Sequence, residues 1–186
     1  MAVATAYLGG MSYYRALMHD LTVEQMESFE KQTFRNRCTI RGVTGYGLQV
    51  TGTNSEYIRL TVPVKKVEHK QLTQDIEISY QTRWQHQHWI AIESAYRNTP
   101  YFDYYADYLR PYYEKQYRWL LDLNCEQAET ILRLMENNPI PANGTTRLKR
   151  TEEWSGETWT DQHPWQTELS IIDTLFEKGP QTILCL

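Results

Sequence analysis

In Tyr57-Ile58-Arg59-Leu60-Thr61-Val62 the apolar residues fall at every second position, the period of a strand with one buried and one polar face. Extended over 57–64, this segment is predicted to be a strand, with Pro63 ending its pairing or placing it at an edge. Residues 48–51 read as its partner around the turn Gly52-Thr53-Asn54-Ser55. Residues 37–41 read as another strand, and the glycines within 42–47 signal a turn after it. Weak alternation over 23–29 suggests one more strand, and 75–80 places Ile76 and Ile78 on one side of a further one. Ahead of these, 12–18 is expected as a short helix with Ser12 as its N-cap.

The period changes at Thr82. Trp84, His88, Ala91, Ile92 and Ala95 recur at helical spacing over 83–96, with Thr82 as N-cap and Asn98-Thr99-Pro100 as the stop. Residues 101–109 predict a second helix of this region. Pro111, at a tolerated first position, opens another that carries Tyr113, Tyr117 and Leu120 on one stripe. Asn124 is expected to start the next, with Gln127 placed for a capping box and Ala128, Ile131, Leu132 and Met135 buried, before Asn137-Asn138-Pro139-Ile140-Pro141 ends it. Residues 145–152 look extended and 153–164 form a Trp- and Gly-rich loop. Ser170 then caps a last helix, with Asp173 three residues on, Gly179 as its C-cap and Pro180 as the stop. The order predicts an α+β fold: one domain over 1–186, an N-terminal antiparallel or mixed sheet, a helical middle, an extended segment and a C-terminal helix.

A chain of 186 residues supports one sizeable core. The net charge of −4 argues against nucleic acid as a partner, because backbone phosphates require a basic footprint. No run approaches the ~20 apolar residues of a membrane span, so no membrane insertion is expected. The N-terminus lacks the basic start and long apolar core of a signal peptide. Cys38, Cys125 and Cys185 are odd in number and far apart, which suits reduced thiols in a cytoplasmic protein. With no Cys-x-x-Cys pair, neither a structural zinc nor another metal is expected. Fourteen Tyr and six Trp stand against only four Phe, a surplus that fits half-wet pockets and contacts or a tyrosine-built core.

The clearest chemistry lies in Phe34-Arg35-Asn36-Arg37. Two guanidinium forks suit phosphate or carboxylate, and the amide between them donates and accepts at once. The plainer alternative is a solvated loop with surface arginines. His86-Gln87-His88 would be a metal pair on a strand, but on a helix residues two apart diverge and the pair fails on geometry. His88 shares its stripe with Trp84 and faces inward, either as a packed histidine or as a general base. Tyr101-Phe102-Asp103-Tyr104-Tyr105 and Tyr112-Tyr113 build an aromatic wall, either core packing or a platform for a base or sugar ring. Cys38 follows Arg37, a neighbour able to depress a thiol pKa, but a small buried strand residue is the plainer reading. Asp173 has a structural account as a helix-start carboxylate. There is no phosphate-binding P-loop, nucleophile elbow or dinucleotide fingerprint, and no cofactor is expected.

Several of these segments recur together in one known group. Ala6-Tyr7-Leu8 followed by Ser12-Tyr13-Tyr14, Lys31-Gln32-Thr33-Phe34-Arg35-Asn36-Arg37 and Leu60-Thr61-Val62-Pro63-Val64 resemble successive motifs of the WbqC-like protein family of bacteria. Asp75-Ile76, Trp84, His88, Tyr96 and Pro100-Tyr101-Phe102 resemble its middle, and Leu169-Ser170-Ile171-Ile172-Asp173-Thr174-Leu175-Phe176 its C-terminal signature. Between Leu134 and Thr151 the chain lacks a segment of the longer members, and Gly9-Gly10 replaces an aliphatic-Pro pair, so it is similar to a compact branch. The resemblance implies a cytoplasmic protein of surface-polysaccharide biosynthesis, a group labelled as acyl or aminoacyl transferases acting on amino sugars. It adds weight to Arg35, Asn36, Arg37, Trp84 and His88. The expected partner is a small-molecule substrate, a sugar nucleotide or an activated carboxylate. Arg35, Asn36, Arg37, Trp84 and Tyr101 would bind it and His88 would act as the base. A non-catalytic binding protein of the same pathway and a Cys38 hydrolase are the other readings. Oligomeric state is left open.

Overall fold

The computed structural model describes residues 2–26, 28–29, 31, 33–42, 57–67, 71–136, 147–152 and 168–186. The expected turn over 42–47, the strand 48–51 and its turn, the segment 137–141 and the loop 153–164 lie outside them, apart from Gly42. Helix α1 spans Met11–Asp20 and starts from Gly10. Ser12 is not its cap. The Ser12 backbone N–H donates to Glu168 Oε2 at 3.0 Å, and its hydroxyl donates to the same carboxylate. A negative group from far along the chain thus meets the free N–H groups of the first turn. The approach is close enough that a Cβ on Gly10 would lie 2.9 Å from the Leu169 carbonyl oxygen.

Strand β1, Thr22–Glu24, is shorter than the alternation over 23–29 suggested and pairs in parallel with β4, Lys149–Thr151. Strand β2, Arg37–Arg41, pairs antiparallel with β3, Tyr57–Thr61, in the register Arg37↔Thr61 to Arg41↔Tyr57. Cys38, Ile40 and Leu60 turn inward, as a period of two requires. Residues 75–80 do not form a continuous strand. A 3₁₀ turn at Thr73–Asp75 leads into single bridges, Val64↔Ile78 and Glu77↔Trp119, with Ile76 and Ile78 both buried.

Helix α2, Trp84–Tyr96, buries Trp84, His88, Ala91 and Ile92 as its periodicity predicts; Arg83, not Thr82, precedes it, with no side-chain cap. Helix α3 is Phe102–Leu109. The helix expected from Pro111 is only a 3₁₀ turn, Arg110–Tyr113. Helix α4, Leu120–Met135, begins a full turn before Asn124, which is fully buried inside it rather than capping it. Leu120, Leu121 and Leu123 are buried, and their burial outweighs the cap preference of Asn124. Helix α5, Ile171–Lys178, follows its sequence signals: the Ile172 N–H donates to Ser170 Oγ at 3.4 Å, and Gly179 ends it at φ +57°. One hydrophobic cluster runs through all five helices and both strand pairs, with Tyr7, Tyr13, Tyr14 and Tyr96 among its largest side chains. The class is α+β, and much of the tyrosine surplus is core.

Candidate functional site

The Arg-Asn-Arg segment enters β2 through a tight turn. The Asn36 N–H donates to the Thr33 carbonyl at 3.2 Å. Two side-chain amides pin this turn. Asn36 Nδ2 donates to the Val62 carbonyl at 2.9 Å, while the Val62 N–H donates to the Asn36 carbonyl at 2.8 Å. From the other side, Asn124 Nδ2 donates to the Arg35 carbonyl at 2.7 Å. Arg35 is only 3% exposed; its guanidinium lies 4.7 Å from the Phe34 ring centroid, and Nη1 reaches Thr33 Oγ1 at 3.4 Å. It is not a solvated surface arginine. Arg37 is half-buried and stands opposite Thr61 in the strand pair.

His88 is buried on α2, one turn after Trp84, which meets its ring edge-on at 5.1 Å between centroids. His86 is exposed, so the two histidines diverge as helical geometry demands. Tyr7 contacts His88 Nδ1 through its hydroxyl at 2.9 Å and Tyr113 through the same oxygen at 3.1 Å. The Tyr7 N–H donates to the Phe34 carbonyl at 2.9 Å, so one residue joins the imidazole to the arginine turn. Burial lowers the His88 pKa to about 3, and a backbone hydrogen bond with Thr61 opposes that shift. Tyr7 also shares a hydrogen bond with Tyr113, which is in turn hydrogen-bonded to Gln127. Burial pushes both phenols well above their ordinary range. The result is a neutral hydrogen-bonded chain from α4 to α2.

Four buried polar atoms in this region have no hydrogen-bond partner among the described residues: Asn36 Oδ1, Trp84 Nε1, Asn124 Oδ1 and Gln127 Oε1. Each such atom costs about 1–3 kcal/mol. Four together amount to about 4–12 kcal/mol, comparable with the entire stability of a domain.

Of the six expected site residues, Arg35, Asn36 and Arg37 share the turn, and Trp84 and His88 join it through Tyr7. Tyr101 stands apart from them: its N–H donates to the Phe176 carbonyl at 3.0 Å, and it packs with Tyr104 and Tyr105. Cys38 is buried in β2, and burial pushes its thiol pKa up, the opposite of what a nucleophile needs. Asp173 meets the Tyr96 hydroxyl at 3.1 Å and Arg41 Nε at 3.2 Å, away from the site. A cavity of about 350 Å³ is lined by residues including Lys65, Gln71, Asp75 and Trp119, and none of the six expected residues lines it. Among the described residues, no group of three His, Cys, Asp or Glu is placed to hold a metal ion. No described helix is long and apolar enough to cross a membrane.

Tyr7, Asn124 and Gln127 are not among the residues the sequence singles out as a site, and Tyr113 is singled out only as part of the aromatic wall. Asn124 and Gln127 carried a signal, two amides three apart on a stripe otherwise apolar, but their spacing also fits a capping box. Residues 19–161, most of the chain, match the model of the WbqC-like protein family. The chain belongs to the WbqC-like family. The match takes in the arginine turn, Trp84, His88, Tyr101, Tyr113, Asn124 and Gln127, whereas Tyr7 and α5 lie outside it. No curated protein and no solved structure matches the chain.

Proposed function

We propose that this WbqC-like protein is a cytoplasmic transferase of bacterial surface-polysaccharide biosynthesis that moves an acyl or aminoacyl group onto the amine of a sugar. The observation carrying the reading is the neutral His88–Tyr7–Tyr113 chain tied to the Arg35–Arg37 turn. Arg35 and Arg37 hold the diphosphate of a nucleotide-linked sugar or an activated carboxylate, and Asn36 and Trp84 orient the acceptor. Tyr101, set apart from the turn, is assigned to a peripheral ring contact. The amine attacks the activated carbonyl, forming a C–N bond, and the leaving group departs with its electron pair. The amine proton passes to the Tyr7 oxygen as the Tyr7 proton moves to His88 Nδ1. Imidazolium in so dry a site is short-lived and returns the proton to the leaving group.

Such a relay contributes about 10²–10⁴ in rate. His88→Gln is therefore expected to lower turnover by that factor in an amine-acylation assay while calorimetric titration still shows sugar-nucleotide binding. Full turnover in this variant would exclude His88 as the base. One observation favours a second reading, a non-catalytic nucleotide-sugar or anion-binding protein of the same pathway: His88 is only 5% exposed, and its ring is hydrogen-bonded to Tyr7 and to the Thr61 backbone. On that reading sugar nucleotide binds, and no amine is acylated by the wild-type chain either.

A further inference from the structure

The cavity of about 350 Å³ stands outside the hydrogen-bonded chain of the proposed site, and none of that chain's residues lines it. Hydrogen bonds fix its walls. The Lys65 N–H donates to the Glu77 carbonyl and the Leu120 N–H to the Ile76 carbonyl, each at 2.9 Å. Gln71 Nε2 donates to the Asp75 carbonyl at 2.6 Å, at the 3₁₀ turn Thr73–Asp75. The lining carries charges of both signs. Glu77 is neutralised, since Lys65 donates to its carboxylate and Arg118 Nη2 donates to Oε1 at 3.0 Å. Lys65 first, then Arg118, holds the Glu77 carboxyl below its ordinary range. The Arg118 guanidinium also lies 4.5 Å from the Trp119 ring centroid, which steadies the indole at the cavity. Two ionic side chains of the lining are then left over. Among the described residues neither Lys66 nor Asp75 has an ion-pair partner. Both are exposed, so an ammonium and a carboxylate stand available at one small cavity. Val67, Ile76 and Trp119 add apolar surface to the same lining.

We infer that this cavity binds a small zwitterion, a free amino acid with an apolar side chain, its carboxylate on Lys66 and its ammonium on Asp75. The cavity lies near the lower end of the about 300–1,000 Å³ span of ligand pockets, so like charges cannot be kept far apart in it. A lone anion entering it meets the Asp75 carboxylate, and a lone cation meets the Lys66 ammonium. A molecule carrying both charges pairs with both residues and is opposed by neither. Its apolar side chain takes the surface of Val67, Ile76 and Trp119. The charges of the lining set this ligand class. The inference therefore goes beyond the proposed transfer reaction and stands whether or not the arginine turn holds a substrate.

The test is titration of the full chain, by calorimetry and saturation-transfer NMR, with phenylalanine and leucine and with the analogues of each that lack one charge. Phenylpropanoate and isocaproate lack the ammonium; phenethylamine and isoamylamine lack the carboxylate. At least one of the two amino acids is expected to bind about tenfold or more tightly than both of its analogues. Asp75→Asn is expected to shrink its advantage over the acid to within about twofold, and Lys66→Gln its advantage over the amine. Both substitutions fall at exposed positions, where they leave the fold intact. Binding of neither amino acid overturns the inference. So does an acid or an amine that binds as tightly as its parent amino acid, which would make the cavity a site for a single charge. An advantage that persists undiminished in Asp75→Asn and Lys66→Gln overturns it too, because the zwitterion is then held elsewhere on the chain.

Discussion

His88 stays neutral in the folded chain down to about pH 3, while its ordinary value is 6.5. Between those values the unfolded chain binds a proton that the folded chain does not, so stability rises with pH across the window. The contribution is complete above about pH 6.5 and is lost on acidification toward 3. Going from pH 6.5 to 5 is expected to remove about 1.5 kcal/mol of unfolding free energy through this residue. Urea denaturation of wild type and His88→Gln at both pH values measures it: the variant's stability should change less. An identical drop in both would mean that the folded protein protonates His88 as readily as the unfolded chain does. Cysteine reactivity gives a second residue-scale check. Cys38 is buried with a raised pKa, and Cys185 is partly exposed. Brief native alkylation followed by peptide mapping should label Cys185 and spare Cys38, which disfavours a cysteine hydrolase.

At the scale of elements, α4 does more than fill the core. Glu129 accepts from Arg133 Nε at 2.6 Å, from Arg147 Nε at 3.2 Å and from the backbone N–H groups of Arg147 and Leu148 at 3.1 Å each, fixing the approach to β4. Burial pushes its carboxyl pKa up, but these donors outweigh it and hold it below its ordinary 4.5. Its stabilisation is thus present above that value and lost as pH falls through the lower folded one. Glu129→Gln is expected to cost about 3 kcal/mol at pH 7 by chemical denaturation, because two arginines lose a shared carboxylate. The end of α5 depends on Gly179 in the same way. At φ +57°, a Cβ there would also stand 2.5 Å from the Tyr101 ring. Gly179→Ala should lower stability by about 1–3 kcal/mol.

These elements also show how far the sequence could be read. Strand β2 and helix α2 are legible from periodicity, and helix α5 because periodicity and cap residues agree. Helix α4 was misplaced because Asn124 and Gln127 satisfy a capping box, whereas the leucines before them decide where burial begins. Pro111 marked a helical start correctly but yielded a single 3₁₀ turn.

For the whole molecule, the arginine turn and the Trp84–His88 pair were visible locally, since each lies within a few residues or one helical turn. Their connection was not. Tyr7 meets His88 across 81 residues and Tyr113 across 106, distances over which no periodicity speaks. The fold brings the N-terminal segment, the turn before β2, the start of α2 and the middle of α4 around one hydrogen-bonded chain. The most direct measurement is a crystal structure of the protein grown with a uridine diphosphate sugar. Density for the diphosphate against Arg35 and Arg37, with the sugar directed toward the Tyr7–His88 pair, is the predicted result. Density seated instead in the cavity beside Lys65 and Trp119, with the arginine turn and α4 untouched, would contradict it.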